Sequence, residues 1–312
     1  MERNETAPIF NLIADPKASQ MLPSLQAIVQ HLQQISGQPN TTIQQIAEIV
    51  RNDQSLTVRL LRLANSAFYA PSEPILNINE AVLYLGLGQL RNSILTAKFI
   101  EKTCEVPGNL MDWREFWLHE IGVGVVMQLL SGYMEEQRLQ EESYYVVGLF
   151  HDIGKLVLAY LSMDLFTEVL KESLARRSGT SPVEIEIVGL NHASIGAWYL
   201  QKQGLPPALY EAIRLHHSWQ FSPGPTEEAA MINLADQIVH LFRQGQSGSF
   251  WPQDWNPGES DEWRLFRQTS KRHLPSWPDL LLQIWHKLKH VPEILDALMS
   301  SGPEKRVAGS NR

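Results

Sequence analysis

The chain has 312 residues, 44% of them hydrophobic and 19% charged, with 26 Lys plus Arg against 34 Asp plus Glu and a net charge of −8. That supplies one large core or two smaller ones, and it excludes a disordered tail or a coiled-coil rod. The acidic balance excludes a generic nucleic-acid binder, which needs clustered cations, but leaves room for a small basic pocket.

Met1 to Gln20 lacks the basic-then-apolar order of a signal peptide and reads as an N-terminal tail. Leu22, Leu25, Ile28, Val29, Leu32 and Ile35 then recur at three- and four-residue steps, which predicts an amphipathic helix stopped by Gly37 and Pro39. Thr42 with Gln45 reads as a capping box opening a second helix, and a third runs through Leu56, Leu60, Leu63 and Ala64. Asn77 with Glu80 caps a short helix that breaks at Gly86-Leu87-Gly88, and a longer one follows from about Gln89 to Lys102. Pro107-Gly108 marks a boundary between an N-terminal bundle (21–103) and a second bundle (110–243). The only cysteine, Cys104, excludes an internal disulfide and a cysteine-based zinc cluster.

In the second bundle, helices are predicted near Trp113–Leu130, Glu142–Leu161 and Leu165–Arg177. Ser181-Pro182-x-Glu184 reads as a cap for a helix running to Gln203, Pro206-Pro207 opens one ending near His217, and another covers Glu227–Arg243. No run of alternating apolar and polar residues occurs, so the predicted fold is all-α. Five of the nine tryptophans lie between Trp251 and Trp285, so 244–312 reads as a less regular, tryptophan-pinned extension. It carries helices near Pro278–Lys289 and Pro292–Met299 and a disordered last dozen residues. The longest apolar runs, such as Ile121 to Met127, are too short for a membrane span, and a cytoplasmic chain is expected.

The informative positions are histidines and aspartates on apolar faces. His119 is in line with Phe116, Val123 and Val126, and His151-Asp152 follows the apolar run Val146 to Phe150. His192 lies mid-helix near Gly196, His216 follows Ile213 by three, and Asp236 is in register with Ile232, Ala235 and Val239. A buried carboxylate must be paired or bound to metal, because desolvating a lone charge costs several kcal/mol. Imidazoles with carboxylates suit iron, manganese, zinc or nickel, and helical bundles build such sites from one inward ligand per helix. Taken singly, each of these histidines has a bland reading as a hydrogen-bonded core residue. Asp236 could pair with His240 one turn on, and His217 points elsewhere on its helix than His216. The tryptophans read as packing.

The run Gly148-Leu149-Phe150-His151-Asp152-Ile153-Gly154-Lys155-Leu156 resembles the signature of the HD superfamily of metal-dependent phosphohydrolases. Leu22-Pro23-Ser24-Leu25, Asp53-Gln54-Ser55-Leu56-Thr57 and the block Leu60 to Tyr69 narrow the resemblance to the HDOD domain of bacterial signalling proteins. So do Ala81-Val82-x-x-Leu85-Gly86-Leu87, Phe116-Trp117-x-His119, His192-Ala193-x-x-Gly196-Ala197 and Leu205-Pro206 with His216-His217, over about Met21 to Leu241. The resemblance implies an N-terminal helical bundle packed on an HD-like bundle, and work in signal transduction through protein partners. It assigns His119, His151, Asp152 and Asp236 to the metal-ligand pattern, and His192 and His216 to the extra ligands of the HD-GYP phosphodiesterases. One or two divalent transition-metal ions and no organic cofactor are expected.

On the hydrolase reading, Asp152 and Lys155 take catalytic roles, with Lys155 contacting substrate phosphate. One departure weighs against hydrolysis of a cyclic dinucleotide: Ser218-Trp219-Gln220-Phe221 stands where a Gly-Tyr-Pro loop would be. The reading favoured is a regulatory protein acting through protein–protein contact. The alternatives are a metal-dependent phosphohydrolase and a nucleotide sensor without turnover.

Overall fold

The computed structural model describes residues 7–15, 22, 47–48, 50–51, 53–103, 111–135, 138–139, 141–221, 223–224, 226–251, 255–270 and 273–299. Every regular element among them is helical, in agreement with the all-α expectation, and no single helix is long and apolar enough to cross a membrane. The helix expected over Leu22–Ile35, the capping box at Thr42, the boundary at Pro107-Gly108 and the last dozen residues lie outside the described residues. The chain forms two compact units, one of residues 1–30 and 102–291, the other of 31–101 and 292–312.

In the second of these units, Asp53 caps α2 (Gln54–Ala64) by accepting from the Leu56 amide at 2.9 Å. Its other oxygen takes Lys98 at 2.5 Å. Lys98 lies on α3 (Ile78–Thr103), which bends where predicted, at Gly86 with φ 74°. Asn65 ties the loop after α2 by bonding both the amide and the carbonyl of Ile75 at 2.8 Å. Asn65, in the block from Leu60 to Tyr69, therefore has a structural task.

The first unit is larger. A short helix near the N-terminus, α1 (Pro8–Ala14), departs from the expected tail: Ile9 is buried and its amide bonds the Val188 carbonyl at 3.3 Å. The central helix is α4 (Trp113–Ser131), capped by Asp112, whose Oδ1 accepts from the amides of Arg114 and Glu115. Phe116, Trp117, Ile121, Val123, Val126 and Met127 on it are almost wholly buried, each such burial worth about 1.5–3 kcal/mol. It packs on α5 (Glu141–Leu149), α11 (Thr226–Leu241) and α13 (Trp277–Leu288). Around them stand α6 (Ile153–Leu161), α7 (Met163–Arg176), α8 (Thr180–Ile187), α9 (His192–Lys202), α10 (Pro207–Leu215) and α12 (Asp261–Thr269). The last helix, α14 (Val291–Met299), belongs from Pro292 onward to the other unit.

Two helices expected to be continuous are broken. The stretch Glu142–Leu161 divides into α5 and α6 at the turn carrying His151-Asp152. The helix expected from Ser181 to Gln203 divides into α8 and α9, with Gly189 at φ 96° and Asn191 capping α9 through the Ser194 amide at 3.1 Å. His192 is thus the first residue of α9 and not mid-helix. Residues 244–291 of the expected extension fall in the same compact unit as α4 to α11.

Two close crossings lock this unit. A Cβ on Gly148 would sit 2.8 Å from the Gly124 Cα and Val123 carbonyl, so α5 crosses α4 almost backbone to backbone. A Cβ on Gly154 would meet the His192 carbonyl oxygen at 1.9 Å, which sets α6 against α9. In an ordinary helix, Gly→Ala stabilises by about 1 kcal/mol. Gly154→Ala is expected to reverse that sign and cost about 3 kcal/mol through overpacking, read by urea denaturation.

Asp53 supplies a pH-dependent contribution to the other unit. Burial alone would raise its pKa, but the Lys98 ammonium and the Leu56 amide outweigh it and hold it below 3.8. A depressed acid stabilises the fold above its unfolded value and loses that contribution as pH falls through the folded value. Asp53→Ala is expected to cost about 1 kcal/mol at pH 7 through the lost cap, with the gap to wild type in Tm closing below pH 4.

Candidate metal centre

The crossings just described position part of the constellation, the turn at His151-Asp152 and the start of α9. On α4, His119 and Glu120 follow Phe116 and Trp117 inward, and both are fully buried. The Gly148–Gly124 crossing brings the turn after α5 over them, so His151 Nδ1 lies 2.9 Å from the Gly148 carbonyl and 3.4 Å from Glu120 Oε2. The Gly154–His192 crossing brings α9 to Asp152, whose Oδ1 is 2.9 Å from His192 Nε2. His216, just past α10, turns Nδ1 to the Ile213 carbonyl at 2.6 Å. Asp236 enters from α11, its Oδ1 3.0 Å from His119 Nε2, 3.2 Å from His240 Nε2 and 3.8 Å from His151 Nε2.

The six ligand candidates His119, His151, Asp152, His192, His216 and Asp236 are thus brought into one buried cluster, none more than 5% exposed. Ligand atoms of Asp152, His192, His216 and His217 lie within 4.8 Å of one another, as do those of His119, Glu120, His151 and Asp152. His119, Asp236 and His240 form a third such group. His217 differs from expectation, since its Nε2 faces into the cluster 2.8 Å from His192 Nε2.

Lys155 is buried as well. Its ammonium contacts Asp152 Oδ2 at 2.5 Å and the hydroxyls of Ser247 and Ser249 at 3.2 Å each. Those serines belong to the segment after α11, which is tied to α4 by the Gln246 amide on the Glu115 carbonyl at 3.1 Å. A cavity of about 340 Å³ is lined by Asp152, Lys155, His217 and Asp236 together with Arg177, Ser181 and Trp251.

The protonation states follow from burial and neighbours. Burial drives His119 down to about 4 and His216 down to about 3, so both rings are neutral near pH 7. Burial likewise lifts Glu120 to about 7. For Asp152 burial pulls upward, but Lys155 and His151 hold the carboxyl well below its usual range. Burial also opposes ionisation of Asp236, and the imidazoles of His240, His119 and His151 hold it well below that range.

A metal fits this donor set. His216 Nε2, His151 Nε2, His119 Nε2, His240 Nε2 and Asp236 Oδ1 are buried and lack an aligned hydrogen bond, although several lie within 3.0–3.8 Å of one another. Such orphaned atoms are rare without a role. His192 Nδ1 lies 2.6 Å from Glu184, and its Nε2 faces the Asp152 carboxylate at 2.9 Å and His217 Nε2 at 2.8 Å; burial opposes its protonation, but the carboxylates of Glu184 and Asp152 hold its pKa above the usual value. Acceptors so placed need a proton or a cation among them. Nitrogen and oxygen donors of this kind suit a borderline divalent ion.

Two functional neighbours escaped the sequence reading. Glu120 is the only acid in the apolar interior of α4, a signal hidden by its place next to His119. Glu184, read as a capping residue, instead accepts from both the backbone amide (2.7 Å) and Nδ1 (2.6 Å) of His192. The cap of α8 is Gly179, with no side-chain bond. A carboxylate fixing a ligand imidazole in this way sets its tautomer and orientation.

A model of the HDOD domain matches residues 22–219. The chain belongs to the HDOD domain family. The fold matches that of an HDOD domain protein from Geobacter sulfurreducens at a TM-score of 0.77, with 23% identity over 90% of this chain and 97% of that one. A proposed phosphohydrolase from Shewanella amazonensis SB2B matches at 0.70, with 21% identity over 95% of this chain and 100% of the other. An uncharacterised protein of Treponema pallidum (strain Nichols) is 24% identical over 205 residues, 65% of this chain and 39% of that protein. The HDOD chain described here thus spans well under half the length of that relative.

Removing the Glu184 carboxylate strands two buried donors, each worth about 1–3 kcal/mol. Glu184→Ala is expected to destabilise by about 3 kcal/mol in urea melts, and Glu184→Gln, which keeps one acceptor, by less than half of that.

Proposed function

We propose that this HDOD chain is a regulatory module acting through protein–protein contact, with a divalent transition-metal ion in its buried cluster as a structural or sensory element. His119, His151, Asp152, His192, His216 and Asp236 would hold the ion. When bound, it neutralises the buried carboxylates and orders the helices that carry the ligands. The observation that carries this reading is the state of Lys155. The cation that would meet a substrate phosphate is buried and takes its partners from Asp152, Ser247 and Ser249 of the same chain. A group so engaged has to break three contacts before it can bind anything else.

A second reading, a phosphohydrolase or a nucleotide sensor, is favoured by the cavity of about 340 Å³ beside Asp152 and Lys155. That volume lies in the range of small-molecule sites.

Elemental analysis of untagged protein purified without chelator tests the metal. The expectation is at least one equivalent of Fe, Mn, Zn or Ni, lost in the His151→Ala/Asp152→Ala double variant. A folded wild type without metal would reject the ion. A screen of phosphomonoesters, phosphodiesters and cyclic dinucleotides with Mn²⁺ or Fe²⁺ separates the readings. No turnover is expected, and turnover abolished by the same double variant would install the hydrolase reading instead.

A further inference from the structure

A second cavity, of about 590 Å³, opens between α4, α7, α11 and the segment that follows α11. Its volume is that of a small-molecule site, and every residue that lines it belongs to the same compact unit. Leu174, Leu241, Phe250 and Trp255 are large apolar side chains left exposed by the fold, and all of them line this cavity. Apolar surface gathered in a concavity marks a place where something binds, whereas the same residues scattered singly would mark nothing.

Two tryptophans form one wall. Trp251 and Trp255 have ring centroids 6.2 Å apart with planes at 53°, and Trp251 also lies 5.2 Å from the His240 ring. Trp255 meets no other ring among the described residues. It is 42% exposed, and its indole N–H donates to Gln237 Oε1 at 3.2 Å, which fixes the plane of the ring. A half-exposed indole anchored at its polar end is a platform for a flat partner. The indole N–H of Trp251 is buried without an acceptor, a cost that a ligand oxygen at this wall would remove.

The charged residues of the lining divide by what already engages them. Asp112 accepts from the Arg114 and Glu115 amides at 2.9 and 3.3 Å, at the positive end of α4. Lys171 on α7 and Arg243 just past α11 are exposed, and neither side chain has a partner among the described residues. Glu115 is the remaining acid, so two free cations stand against one free carboxylate.

From these features we propose that the cavity is a binding site for a planar aromatic anion, with the ring stacked on Trp255 and the anionic group held by Lys171 and Arg243. These residues lie outside the buried cluster, so the site stands or falls independently of the metal reading. Trp251 continues the segment whose Ser247 and Ser249 contact Lys155, so a bound ring orders that segment as well.

Isothermal titration of the full chain with naphthalene-2-sulfonate tests the site, with naphthalene-2-methanol as the ring without the charge and methanesulfonate as the charge without the ring. One equivalent of the aromatic sulfonate is expected to bind with a Kd below about 1 mM, the alcohol roughly tenfold more weakly, and methanesulfonate not at all. Trp255→Ala should weaken the aromatic sulfonate by about tenfold or more. The double variant Lys171→Gln/Arg243→Gln, at two exposed positions, should weaken it by about tenfold and leave the alcohol unchanged, so this arm decides even if Trp255→Ala fails to fold. Bound aromatic sulfonate should also slow amide hydrogen exchange across residues 245–251. The proposal is overturned by an absence of saturable binding, by equal affinity for sulfonate and alcohol, or by a folded Trp255→Ala or charge double variant that binds like wild type. Exchange across 245–251 left unchanged by the bound probe overturns it too.

Discussion

Burying a carboxylate where water cannot reach it is the constraint from which the larger unit is built. Asp152 and Asp236 are 2% and 5% exposed, and each must find compensation within the chain or from an ion. Part of it is local, with Lys155 three residues after Asp152 and His240 one turn after Asp236, but one helix presents too few directions to supply the rest. The compensating groups therefore come from α4, α6, α9, α11 and the turns after α5 and α10, and those elements have to approach closely. The glycines at 124, 148 and 154 permit that approach. Charge compensation and backbone packing are one requirement expressed at two scales.

That coupling explains which parts of the fold are legible in the sequence. The 3.6-residue period of Phe116, His119, Val123 and Val126 places His119 inward without any tertiary information, and the same argument holds for Asp236 with Ile232 and Val239. The capping pair Asn77 and Glu80 is legible because both partners are local: the Glu80 amide bonds Asn77 Oδ1 at 3.0 Å, and Glu80 Oε2 takes the Leu76 amide. His119, His151, Asp152, His192, His216 and Asp236 lie together in the buried cluster.

What the sequence does not disclose is decided at a distance. The residues from Glu142 to Leu161 all suit a helix, and the break at His151-Asp152 arises because α6 must turn to meet α9. Glu184 has the spacing of a capping acid, yet burial beside His192 gives its carboxylate a better partner than the backbone. α1 has only seven residues, too few for a periodic signal, and is held by contact with the α8–α9 junction. The segment after Gln244 reads as an appendage because nothing local says that Ser247 and Ser249 will meet Lys155, some 90 positions earlier.

That last contact bears most on the reading proposed for a ligand set of hydrolase type. A metal-dependent hydrolase needs an open coordination position and a free cation to receive the developing phosphate charge. In this chain the cation is held by two hydroxyls and a carboxylate, so freeing it means displacing residues 247–249 from the surface of α4 and α6. Trp251 extends the same segment over His240, next to the wider of the two cavities. Any molecule that fills that cavity presses on the segment covering Lys155, and any ion that orders the cluster fixes the floor beneath it. On the proposed reading, occupancy of the cluster and the position of the covering segment are therefore thermodynamically linked, since each can favour the other only by binding one arrangement better.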